Sequence, residues 1–273
     1  MTRLGVRDGW RGRHVAITGG SSGIGRALTG LLVAGGAHVS VLALDDADLA
    51  AITTDPALAG AAAIPVDVTD AGAVDAAVAR AVAAHGPVRS LITCAGVTRP
   101  GHAFDLPLAE YRREMEVNYF GTLHAVRAVA PAMITARGGT ITCISSAAGL
   151  LGVFGYAAYA PTKFAVRGLC ETLRQELRPH GVSVTAVYPP DVDTPMLHGE
   201  EPLKPAETRA ISGTIQPLAA EAVARAMLRG TERGVASVIP DAKTKGLRLI
   251  VGAAPGVTAR VLDRIVAKAR RAT

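Results

Sequence analysis

The chain has 273 residues, 49% of them hydrophobic and 19% charged, enough apolar material for one substantial core and too much for a disordered protein. A formal net charge of +6 suits an acidic partner such as a phosphorylated cofactor or an anionic membrane surface. Nucleic acid is disfavoured, because Lys and Arg are scattered until the last turn of the chain and aromatic residues make up only 4%, too few for a base-stacking platform.

From the start, Met1 to Arg13 is polar and basic without an apolar core segment, so it is not read as a secretory signal. The β-branched run from His14 to Thr18 leads into the glycine run Thr18-Gly-Gly-Ser-Ser-Gly-Ile-Gly25 and an apolar helical stretch from Ile24 to Ala34. Strand, loop, helix is the order a phosphate cradle needs. Gly19, Gly23 and Gly25 leave room for a tight turn and close backbone approach to a pyrophosphate, with Ser21, Ser22 and Ile24 between them. Further apolar runs at Val39 to Ala43, Ala62 to Val66, Val88 to Thr93, Gly139 to Ile144, Val182 to Val187 and Val235 to Ile239 mostly alternate with segments of helical spacing. That alternation predicts an α/β fold: a doubly wound, mostly parallel sheet with helices on both faces, because parallel strands need crossovers.

No repeat or composition break marks a second domain, so residues 1–273 are read as one: a core over about 13–240, a lid over about 189–217 and a basic amphipathic tail over about 247–273. The lid follows a strand, where an open α/β sheet places its ligand crevice, and is expected to be mobile when empty. Cys94, Cys143 and Cys170 are an odd count without C-x-x-C spacing, which argues against a disulfide framework and against any metal site. A reducing, cytoplasmic setting follows.

Tyr159 and Lys163 stand four apart, on one helix face if the helix starts just before Tyr159, where Pro161 falls in a first turn. A phenol is a poor acid or base at neutral pH, and a neighbouring ammonium is expected to lower its pKa. Ser146 lies thirteen positions before Tyr159, at the end of the fifth apolar run. Tyr156 lacks such a lysine, having Ala160 four residues on, and Ser145 adjoins Ser146 without the thirteen-residue spacing.

This set of motifs resembles the short-chain dehydrogenase/reductase family over roughly residues 13 to 240. The resemblance implies a single Rossmann-type domain, an NAD(P)H cofactor and a catalytic set of Asn118, Ser146, Tyr159 and Lys163. In it Ser146 polarises the carbonyl, Tyr159 supplies the proton, Lys163 also holds the nicotinamide ribose and Asn118 anchors a water. It further implies cofactor contacts from Asp67 and Val68, from Cys94, Ala95 and Gly96, and from Pro189, Val192 and Thr194. Departures are Thr93 and Cys94 in place of asparagines and Pro190 in place of glycine. Cys94 is read as a small buried thiol rather than a redox group.

The run Leu42-Ala43-Leu44-Asp45-Asp46 has neither the usual NAD aspartate at 43 nor the NADP arginine at 44, while Asp45 is placed to catch a ribose, repel a phosphate or cap the next helix. NADPH is the expected cofactor and NADH the alternative.

Lys163-Phe-Ala-Val-Arg-Gly-Leu169, Tyr188-Pro-Pro-Asp-Val-Asp-Thr-Pro195 and Lys204-Pro-Ala-Glu-Thr208 are similar to the branch of the family that reduces 3-ketosphinganine to sphinganine with NADPH. That substrate implies an apolar groove, with Leu150, Leu151, Val153, Phe154, Met196 and Leu197 as its expected lining. It also implies an acidic group for the amine, from Asp191, Asp193, Glu200 and Glu201, with Asp193 the first to test. The alternatives are another hydrophobic carbonyl or alcohol, such as a steroid or fatty-acyl ketone, and a non-catalytic cofactor-binding regulator. Val257, Val261, Leu262, Ile265 and Val266 recur at helical spacing among basic residues, a tail that can lie on an anionic membrane, pack on its own domain or bridge a dimer. By the same resemblance a homo-oligomer is expected, joined through the helices bearing Asn118 and Tyr159.

Overall fold

A computed structural model describes residues 8–44, 46–213 and 216–271. The apolar runs become the strands β1 (His14–Thr18), β2 (His38–Ala43), β3 (Ala62–Pro65), β4 (Ser90–Thr93), β5 (Gly139–Ile144) and β6 (Val182–Val187). One short pair follows, β7 (Val192–Asp193) with β8 (Leu218–Ala219), and the run expected at Val235 to Ile239 contributes only β9 (Ser237–Val238). The main sheet has the order β3-β2-β1-β4-β5-β6-β9 with every pair parallel, the doubly wound topology expected.

The helices are α1 (Gly23–Ala34), α2 (Ala47–Thr54), α3 (Ala71–His85), α4 (Leu108–Met115), α5 (Gly121–Thr135), α6 (Tyr159–Leu177), α7 (Pro195–Glu200), α8 (Ala206–Ser212), α9 (Ala220–Glu232), α10 (Ala242–Ala253) and α11 (Pro255–Arg270). Aspartates start three of them: Asp46, Asp70 and Asp241 accept the N–H of Leu49, Ala73 and Thr244, satisfying donors that a helix N-terminus leaves unpaired.

Period-two alternation in the strands divides the core in two. Val15 and Ile17 of β1 pack with Leu28 and Leu32 of α1, Ile52 of α2 and Met227 of α9. On the opposite face Ala16 packs with Val74 of α3, Val129 of α5 and Val166 of α6. Both faces of the sheet are therefore covered, and the strands carry near-continuous apolar sequence.

From β1 the chain winds outward to β3, then crosses back to β4 on the other side of β1. Loops leaving β1 and β4 diverge there, which opens a crevice at the carboxyl ends of the strands. Between α4 and α5 the residues Glu116–Phe120 form a π-helical stretch, so the two helices run on as one rod with Asn118 at its irregular centre. At the other end of the chain α11 packs on α8, joining the tail to the segment that follows β6.

Candidate active site

A cavity of about 980 Å³ occupies the crevice. Its floor on one side is the glycine loop: Gly19, Ser21, Ser22, Gly23, Ile24 and Gly25 all line it, together with Asp67, Val68, Cys94, Ala95 and Gly96 from the ends of β3 and β4. Gly19 has φ 65°, and a Cβ there would stand 2.7 Å from the Ala95 nitrogen, so no side chain fits between loop and β4. A Cβ on Gly25 would run into the Gly19 carbonyl. Ser22 makes no side-chain hydrogen bond to the helix it caps, which leaves the first-turn N–H groups of α1 for an anion. Asp67 accepts the N–H and hydroxyl of Thr69 at 2.9 and 2.8 Å through a single oxygen, Oδ1. Asp45 lies outside the described residues, and its neighbour Asp46 lines the cavity while capping α2. Among the described lining residues the cations are Arg113 and Lys163, neither at the β2 end.

Ser146, Tyr159 and Lys163 line the same cavity, with Lys163 Nζ 3.6 Å from where a Gly96 Cβ would be. Helix α6 begins at Tyr159, as the position of Pro161 predicts. Lys163 Nζ lies 5.4 Å from the centroid of the Tyr159 ring and donates to the Ile144 carbonyl at 3.2 Å. The Ser146 hydroxyl stands near enough to the Tyr159 phenol to favour its ionised form, and its Oγ accepts the Ala148 N–H at 3.1 Å. Ser145 points away, donating to the Lys163 carbonyl at 2.8 Å, and so ties the end of β5 to α6.

The electrostatics correct one expectation. Burial pushes the Tyr159 phenol above its usual pKa, the neighbouring Ser146 hydroxyl opposes this, and the carboxylates of Glu200, Glu114 and Asp191 add to the rise. Burial also lowers Lys163 to about 8, against the pull of Cys94, Glu114 and Cys143. Removal from water therefore outweighs the ammonium's effect on the phenol, and Tyr159 is protonated at neutral pH. A protonated phenol is the form that can deliver a proton to a carbonyl oxygen. The Cys94 thiol is likewise pushed up by burial, which disfavours the reactive thiolate.

Asn118 is buried and does not line the cavity. Its Oδ1 accepts the Val97 N–H at 2.8 Å, and Nδ2 donates to the Val97 carbonyl at 2.9 Å and to Thr162 Oγ1 at 3.0 Å. Both amide hydrogens are thus used in clamping the β4 loop to α6, a positioning arrangement rather than a side chain presented to water. Pro189, Val192 and Thr194 line the cavity, and Thr194 lies against the glycine loop, 3.2 Å from where a Gly23 Cβ would be.

The apolar wall is partly as expected. Leu151, Val153, Met196 and Leu197 line the cavity, while Leu150 is in the core beneath the sheet and Phe154 faces an adjoining recess of about 730 Å³. Leu262 and Ile265 of α11 complete the wall, so the tail belongs to the site. Asp191 and Glu200 line the cavity; Glu201 does not, and Asp193 is exposed and paired with His198 at 2.8 Å.

Sequence reasoning missed Glu114 and took Lys204 only as part of a branch motif, without a place at the site. Glu114 is fully buried, four residues before Asn118 and hence on its helix face; Lys204 is also buried, facing Glu200 at 3.3 Å and Glu201 at 2.8 Å. The i, i+4 spacings were visible in the sequence, but burial was not.

A family profile described as short chain dehydrogenase matches residues 13–204. A 3-dehydrosphinganine reductase of Danio rerio is 38% identical over 233 residues, covering 82% of this chain and 69% of the relative. A 3-ketodihydrosphingosine reductase of Dictyostelium discoideum is 36% identical over 268 residues, covering 91% and 79%. Among solved structures, a short-chain dehydrogenase from Burkholderia cenocepacia in complex with NADP superposes with a TM-score of 0.78 at 26% identity, covering 95% of this chain and 99% of that one.

Proposed function

Because the chain belongs to the short-chain dehydrogenase family, we propose that it uses NADPH to reduce the ketone of 3-ketosphinganine to the secondary alcohol of sphinganine. The observation that carries this reading is the meeting, in one cavity, of a proton-donating phenol with an apolar wall built from three separate segments. The residues fit a dinucleotide: the glycine loop and Ala95 leave a cradle that any Cβ would fill, and the first turn of α1 favours a pyrophosphate. Gly19, Ser21, Ser22, Gly23, Ile24, Gly25, Asp67, Val68, Cys94, Ala95, Gly96, Pro189, Val192 and Thr194 would hold it, with Tyr159 and Lys163 beside the nicotinamide end. When bound, the reduced nicotinamide supplies hydride.

Ser146 donates a hydrogen bond to the substrate's carbonyl oxygen and fixes where negative charge develops. Tyr159 gives its phenolic proton to that oxygen, and the Lys163 ammonium stabilises the phenolate left behind. Leu151, Val153, Leu197, Leu262 and Ile265 exclude water and take the alkyl chain. The acidic groups Asp191 and Glu200 sit on the same cavity wall, a charge suited to a cationic substrate.

The test is the initial rate of NADPH oxidation, and separately of NADH oxidation, by the purified chain with 3-ketosphinganine in detergent. Turnover is expected with NADPH ahead of NADH. Tyr159→Phe should lose on the order of 10²–10⁴-fold in rate while still binding cofactor. Undiminished turnover in Tyr159→Phe would remove the proton-donor role, and cofactor binding without turnover in the wild type would favour a regulator.

A further inference from the structure

Behind Tyr156 three carboxylates meet two cations. Glu200 Oε1 accepts the Tyr156 hydroxyl at 2.8 Å and faces Lys204 Nζ at 3.3 Å. Glu201 faces the same Nζ at 2.8 Å and Arg209 Nε at 3.7 Å. Asp191 is the third carboxylate, close enough to feel Lys204 and Glu201, yet among the described residues it makes no ion pair. Formal charges at Asp191, Glu200, Glu201, Lys204 and Arg209 therefore sum to one uncompensated negative charge. It falls on the carboxylate that both lines the cavity and lacks a partner.

We propose that Asp191 is the specificity-determining counter-charge of the cavity, selecting a ketone that carries an ammonium on the neighbouring carbon. The assignment rests on the reductase reading above and names the residue that reads the amine. Three features support it. Ammonium and reacting carbon in such a substrate are two bonds apart, about 2.5 Å, so the counter-charge has to lie next to the proton donor. Asp191 and Glu200 both act electrostatically on Tyr159, and the Tyr156 and Tyr159 rings are 5.8 Å apart.

The backbone of Asp191 is also fixed. It follows Pro189 and Pro190, and its carbonyl accepts the Leu218 N–H at 2.9 Å, holding it to the β7–β8 ribbon. Burial raises the Asp191 carboxyl above the ordinary carboxylate range, a penalty that an incoming ammonium offsets. Glu200 is less suited, since Tyr156 and Lys204 already hold it. Asp193, the sequence's first candidate, pairs with His198 where both side chains are largely exposed (64% and 71%), outside the cavity.

The test compares two ligands of one carbon skeleton, sphinganine and octadecane-1,3-diol, which lacks the amine. Binding to the full chain is titrated in detergent at pH 7 with NADP present, for the wild type, Asp191→Asn and Asp191→Glu. The wild type should prefer sphinganine by about tenfold or more, as expected for losing one partner of a desolvated charge pair. Asp191→Asn should bring that ratio close to one with diol affinity unchanged, and Asp191→Glu should retain a preference. A wild type indifferent to the amine, an Asp191→Asn protein that keeps the preference, or an Asp191→Glu protein that loses it equally would each overturn the proposal. Preference for the amine without reduction of 3-ketosphinganine would refute the reductase reading alone.

Discussion

Glu114 is a carboxyl with no exposure to solvent, one oxygen taking the Arg99 N–H at 2.7 Å and the other, Oε2, buried without a hydrogen-bond partner. Burial raises its pKa to about 7, against the Arg99 hydrogen bond and the attraction of Arg113 and Lys163, with Glu110 reinforcing the rise. An acid whose folded pKa lies above its unfolded value binds the extra proton only in the folded state between the two values. Its contribution is fully present below the unfolded pKa and is lost as pH rises through about 7. The loss amounts to about 3 kcal/mol if the whole shift is realised. Glu114→Gln keeps an acceptor for Arg99 and cannot ionise, so its stability should fall less than that of the wild type between pH 5 and pH 8. Parallel denaturation midpoints for the two proteins across that range would show that Glu114 is not held protonated. At this scale the sequence was legible where chemistry follows spacing, as with Ser146, Tyr159 and Lys163. It was not legible where burial decides. The same ammonium that should lower a phenol's pKa is itself desolvated, and the choice of Asp191 over Asp193 depends on which way a proline-stiffened loop turns.

Elements were easiest to read in the sheet, because β-branched runs covered on both faces carry a strong apolar signal. β1, β5 and β6 coincide with the runs read from sequence. β9 shrank to two residues at the sheet edge, where only one neighbour holds it. The tail's helical period was equally plain, but an amphipathic pattern does not say what its apolar face meets. Here it meets α8 and the cavity. A latch at its end joins Arg270 to Glu207 at 3.0 Å and sets the guanidinium 5.6 Å from the centre of the Phe154 ring, while Thr208 holds the Phe154 carbonyl at 2.8 Å. The ion pair joins a largely exposed guanidinium to a buried carboxylate and, with the cation–π contact, ties down the end of α11 locally. Arg270→Ala should therefore speed amide exchange in α11, with β1 to β6 unchanged. Equal protection in both proteins would mean that the latch contributes nothing.

For the whole molecule, the basic balance has its counterpart near the end of the chain. Leu249, Ile250, Val257 and Val261 are exposed on α10 and α11, among Lys245, Arg260 and Arg264, a combination that suits an anionic surface. No helix among the described residues is long and apolar enough to cross a membrane. Under the 3-ketosphinganine reading proposed above, this is the face expected to meet anionic bilayers. Intact protein should co-sediment with phosphatidylserine vesicles at low salt and Leu249→Lys/Val257→Lys should bind less. Failure of the intact protein to bind would end this inference.

The place of β1 in the sheet carries a consequence for how such a molecule comes into being. β1 lies between β2 and β4, and its register with β4 joins residues more than seventy positions apart. As the chain leaves the ribosome, β1 to β3 can pair early, but one edge of β1 stays open until β4 emerges. At synthesis rates of about 5–20 residues per second, that is an interval of several seconds. The edge left bare is the one that later seats Ala95 against Gly19, so the nucleotide cradle cannot exist before the first third of the chain has been made.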